Sequence, residues 1–136
     1  MKEYPSKILL AWSEAIKGNE AIADWLIQNG FAELVMFIRS LKGSREADKW
    51  LFENNFPEYV AAVEYINGKK EAGDWLDKYH MTVLKMIADT AIGVKEAEMW
   101  LMHKKLKEVV IVAIRLRHLV EEMDRDLGDV HKPPFR

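Results

Sequence analysis

There is no cysteine among the 136 residues. That excludes disulfides, thiolate nucleophiles and Cys-based zinc or iron–sulfur sites. It fits a reducing cytoplasm, which is the expected compartment. Positive charge is not in excess either. Lys and Arg number 20 against 22 Asp and Glu, a net charge of −2, so overall charge does not point to nucleic acid. Long apolar runs are missing. The densest stretch, "LKEVVIVAIRLRHLV", is broken by Arg115 and Arg117 and falls short of the roughly 18 residues of a membrane span. The opening "MKEYPSKILLAWSEAIKG" has a short apolar run followed by Glu14 and Lys17, with no small-residue cleavage site. It is not read as a signal peptide, and no membrane partner is expected.

Catalytic signatures are also lacking. Ser6, Ser13, Ser40 and Ser44 have no G-x-S-x-G elbow, and the glycines are single rather than clustered into a phosphate loop. His80, His103, His118 and His131 form no pair at i, i+4. The segment "MDRDLGDVH" gathers Asp124, Asp126, Asp129 and His131, but no closing Glu follows in calcium-loop register. It is read as the acidic end of a helix. Neither metal nor cofactor is expected, and the chain is not read as an enzyme. The open exception is a carboxylate pair assembled only by folding.

What the chain does have is a repeat. Gly18, Gly43, Gly68 and Gly93 recur every 25 residues, and Trp25, Trp50, Trp75 and Trp100 each follow seven residues later. Leu26, Leu51, Leu76 and Leu101 come next, then an apolar residue at Phe31, Phe56, Met81 and Leu106. Glu33, Glu58 and Glu108 share another phase, where Val83 is the exception. Apolar residues at 49% and charged residues at 31% indicate a folded chain rather than a disordered one.

Each unit reads as two short helices. Ala47, Trp50 and Leu51 have i, i+3, i+4 spacing, one apolar face of a helix after the Gly. Before the Gly, triplets such as Leu34, Phe37, Leu41 mark a second helix. The Gly supplies the left-handed residue that ends a helix most readily. Glu46, Glu71 and Glu96 then fall near the positive end of the next helix. "NGF" and "NNFP" supply turn formers at the other junction, and Pro57 suits a first helical position.

The fifth copy breaks the pattern. His118 stands where Gly is due and Arg125 where Trp is due, so one long helix is predicted from about Leu106 to Asp126. An atypical last unit is what a terminal cap looks like. The expected fold is therefore all-α. One domain spans 1–136, with units near 7–31, 32–56, 57–81 and 82–106, a capping helix near 106–126 and a tail 127–136. Its architecture is expected to be a compact α-α superhelix, or solenoid. The alternative is a closed multihelical bundle around the last helix.

The "G-x-x-x-A-x-x-W-L…E-L" units, over residues 7 to about 126, resemble a family of small bacterial all-helical proteins built from 25-residue Trp–Leu repeats. The resemblance implies an all-α fold and no assigned activity.

Two candidate surfaces follow. The in-phase tryptophans are read as core; the competing reading is a partly exposed ladder that grips peptide or sugar. Lys42, Arg45, Lys69, Lys70 and Lys95, with Lys17, cluster at the Gly turns as a candidate anion- or partner-binding edge. The competing reading is a solvated edge balanced by Glu46, Glu71 and Glu96. The tail "GDVHKPPFR" carries Pro133 and Pro134, read as a loose end. The expected function is a helical-repeat interaction module whose partner is another protein or a second copy. A regulatory binder of a small anionic ligand is the alternative.

Overall fold

The computed structural model describes residues 2–127. Among them are nine α-helices and no strand: α1 (Ser6–Ile16), α2 (Glu20–Gln28), α3 (Ala32–Leu41), α4 (Arg45–Glu53), α5 (Pro57–Ile66), α6 (Lys70–Lys78), α7 (Thr82–Ala91), α8 (Lys95–His103) and α9 (Lys107–Leu127). The four even-numbered helices are nine residues each. Asn19 and Ser44 cap the first two of these through their side chains, while α6 and α8 have no side-chain cap.

The periodic glycines end α1, α3, α5 and α7, all in the left-handed region. Gly43, for example, has φ 101°. Its N–H donates to the Ser40 carbonyl at 2.9 Å, and the Ser44 N–H to that of Arg39 at 2.9 Å. A second left-handed position recurs at the other junction. Gly30, Asn55, His80 and Lys105 occupy it in turn, the last three with φ 68°, 59° and 60°. Only the first is glycine, so the residue types conceal this turn although its spacing is regular.

The core corrects one expectation. Leu26, Leu51, Leu76 and Leu101 are wholly buried, but Trp25 is exposed and Trp50, Trp75 and Trp100 are half-buried. Neighbouring helix residues point about 100° apart, so Leu and Trp cannot both face inward. The leucine takes the centre and the indole lies along the shoulder, as where Trp50 stacks on Phe56 at 6.0 Å. The tryptophan that is core is the one outside the repeat phase. Trp12 is fully buried, donates its Nε1–H to the Leu34 carbonyl at 3.1 Å, and meets Phe37 and Tyr59 edge-on.

Each even helix packs on the odd helices before and after it, and the even helices do not touch one another. The odd helices pack in sequence, and α1 meets α9 as extensively as α7 does. The contacts therefore close: five odd helices form an inner ring, with four even helices outside. An open stack would keep α1 and α9 apart. The bundle alternative is nearer, except that α9 touches neither α3 nor α5 and so belongs to the ring rather than to its axis. Where Gly would have stopped it, α9 runs on, burying Leu119 and Val120. Arg117 ties it to Glu98 of α8 at 2.6 Å.

Candidate functional site

The basic edge forms at the Gly turns. Lys42 caps α3, Arg45 opens α4, Lys69 and Lys70 bracket the start of α6, and Lys95 opens α8. All five are exposed. Lys42 and Arg45 flank one Gly turn, and Lys69 and Lys70 follow the next. Lys69 is already engaged, 3.0 Å from Glu64, and that hydrogen bond raises its pKa.

A buried polar group lies at the opposite end of the ring. The segment before α1 lays Tyr4 beneath the surface, where its hydroxyl donates to Glu33 at 2.7 Å. The Tyr59 hydroxyl lies 3.0 Å from that of Tyr4. Tyr4 has one proton and gives it to Glu33, so Tyr59 donates to Tyr4. Burial above all pushes both phenols up, keeping them neutral donors. Glu33 is only 2% exposed, and Lys2 covers it at 3.4 Å. This group latches the N-terminal segment over the ring; its carboxylate has almost no open side for a substrate. Glu33 shares its repeat position with Glu58 and Glu108, but nothing in the sequence marks it as the buried one.

The surface grooves follow the repeat. Leu10, Ala11, Ile22 and Trp25 line a groove of about 510 Å³ over α1, flanked by Lys7 and Glu14. Fifty residues on, Val60, Ala61, Ala72 and Trp75 line its counterpart over α5, flanked by Pro57 and Glu64. A third lies over α9, where Val110 and Ile111 meet Lys107, Lys105 and Met102, about 500 Å³. These are one groove in three states of completion. Over α5 both walls exist, α6 on one side and Phe52 of α4 on the other. Among the described residues, no outer helix precedes α1 and none follows α9.

Because α1 packs on α9, the two open sides adjoin. The two grooves, with the α1–α9 contact between them, make up the strip between α2 and α8, where a further outer helix would complete the ring. Leu10 shows the consequence. It is 43% exposed, whereas Val35 at the same repeat position, where α2 packs on α3, is 2% exposed. Met102 of α8 is exposed on the opposite margin. At the Gly-turn end of the strip a cavity of about 400 Å³ gathers Lys17, Arg115 and Arg125 with Glu121 and Glu122. Neither Lys17 nor Arg115 has an ion pair among the described residues.

No family model, curated protein or solved structure matches the chain. The resemblance to Trp–Leu repeat proteins accordingly rests on the residues themselves. Among the described residues no cluster of three or more metal-ligating side chains occurs, and no helix is long and apolar enough to cross a membrane. Asp129, His131, Pro133 and Pro134 lie outside the described residues. Sequence reasoning missed Leu10, Ile111 and Arg115 as surface residues. The available signal was the fifth unit's loss of Trp, which leaves four outer helices for five inner ones.

Proposed function

We propose that this protein is a non-catalytic interaction module that holds a protein partner on the strip between α1 and α9. The observation that supports it is the exposure of Leu10, at a repeat position that Val35 fills as a buried residue on α3. Isolated apolar residues on a surface are ordinary; two apolar grooves on the packed helices α1 and α9, at an unfinished place in a repeat, are not. The test is affinity capture of full-length protein beside Leu10→Asp and Ile111→Asp, with sedimentation velocity on each. A stoichiometric partner, or a self-associated species, that is present with the parent and lost from both variants supports the reading. Full retention by both variants would overturn it.

The second reading is an anion-responsive binder using Lys42, Arg45, Lys69, Lys70 and Lys95. Its support is the lack of side-chain caps on α6 and α8, which leaves N–H donors beside exposed cations. Glu46, Glu71 and Glu96 oppose it by cancelling much of the local field. A melting temperature that rises with added polyphosphate, and no longer does after Lys69→Glu/Lys70→Glu, would favour this edge over the strip.

A further inference from the structure

Resting on the interaction-module reading, we infer that the strip receives a single amphipathic helix of about three turns, carrying a Trp–Leu-like apolar face and an acidic first turn. The fold supplies the template. Helices α2, α4, α6 and α8 fill the other four places of the outer ring. Each runs nine residues and carries a carboxylate in its first turn: Glu20, Glu46 and Asp48, Glu71, Glu96 and Glu98. A helix docked like them would start at the Gly-turn end of the strip, and its first turn would meet the cavity of Lys17, Arg115 and Arg125.

Arg115 makes the register specific. Residue 115 is the repeat counterpart of Ser40 and Tyr65. Ser40 donates to Asp48, and Tyr65 packs where a Cβ on Gly73 would stand. Residues 48 and 73 share one position on successive outer helices, so that position is what residue 115 would face. The chain places an Arg there, and among the described residues no carboxylate forms an ion pair with it. A carboxylate on the incoming helix completes the pair, as Glu98 of α8 already does for Arg117 at 2.6 Å. The wider field agrees. Cations Lys7, Lys105 and Lys107 border the other end, on a molecule whose net charge is −2. An acidic first turn is therefore complementary to the cations at the ends of the strip.

The experiment exploits the absence of cysteine. Leu10→Cys creates the chain's only thiol, on the floor of the strip. A copy of residues 44–54 is joined to the N-terminus of the full chain by a flexible linker, which puts it at millimolar effective concentration. The inference expects thiol alkylation at least about tenfold slower than with a scrambled copy on the same linker. Arg115→Glu should restore fast alkylation, and changing the tethered copy's Asp48 to Lys should slow it again. Equal rates for the native and scrambled copies would overturn the inference. So would protection that ignores Arg115, since the register would then be wrong. If the tether gives no protection but capture still depends on Leu10 and Ile111, the single helix falls and the interaction surface stands. If capture fails as well, both fall.

Discussion

At the residue scale, the repeat hides a division of labour between two adjacent side chains. Leu76 is wholly buried, whereas Trp75 is half-buried beside Tyr79. Leu76→Ala should therefore cost about 2–5 kcal/mol, the range for leucines in closed cores. Trp75→Ala, although it removes more atoms, should cost less, roughly 1–2 kcal/mol for partial burial. Denaturant titration of both variants checks the order; a larger loss for Trp75→Ala would mean that the indole, not the leucine, is the core anchor. A second residue-scale case is Gly73. Alanine in place of a helical glycine normally stabilises. Here a Cβ would stand 2.5 Å from the Tyr65 ring, so Gly73→Ala should destabilise by about 1–3 kcal/mol. In a Tyr65→Ala background the same change should turn stabilising, by roughly 0.5–1 kcal/mol. The same pair of positions is met by Ala15 with Ala23 and by Ser40 with Asp48. One structural contact is thus solved in several chemistries, which is why no sequence pattern announces it.

At the element scale, the helices were legible because two signals coincide in them, a 3.6-residue apolar stripe and a glycine stop. The junction from each odd helix to the next even one follows directly from Gly18, Gly43, Gly68 and Gly93, all left-handed. The junction from each even helix to the next odd one is as regular in backbone but not in residue type, since Asn55, His80 and Lys105 adopt it without being glycine. A non-glycine there carries a steric penalty of about 1 kcal/mol or more. His80→Gly should consequently stabilise, by about 0.5–1 kcal/mol after the entropy lost from the unfolded chain; a lower melting temperature would show that the imidazole contributes something at the turn. The junction of α8 with α9 has a charge-based signature instead. The hydrogen bond from Arg117 holds the Glu98 carboxyl below its ordinary range, against a smaller upward push from burial. A carboxyl so lowered stabilises fully above its unfolded pKa, and that stabilisation fades as pH falls through the folded value. Glu98→Gln should lower the melting temperature near neutrality, and the gap to the parent should narrow as pH falls below the ordinary carboxyl range and close once the depressed folded value is passed. A gap that persists in acid would assign the effect to packing.

At the scale of the whole molecule, the feature that matters most is the one a repeat conceals. Each 25-residue unit predicts its neighbours, but no unit predicts that the first inner helix will meet the last. That contact joins α1 to α9 across the length of the chain, and both the candidate surface and its basic end arise from it. The turn lysines were visible as charges in phase; Leu10 became a surface residue only because the ring closes with no fifth outer helix among the described residues. Closure also changes how the protein should come apart. In an open stack the terminal units have one neighbour each and fray first. Here α1 buries Ile8, Leu9, Trp12 and Ile16 against a ring that continues on both sides, through α3 and α9. The amides of α1 should accordingly exchange with the same free energy as those of α5, at or near the global unfolding value. Native-state hydrogen exchange across a denaturant series measures this. Exchange of α1 well below the global value, with α5 still protected, would mean that the closing contact is weak and the molecule behaves as a stack. Deep, uniform protection would mean that the strip is held by the most stable part of the fold, a rigid surface already shaped for a helix before one arrives.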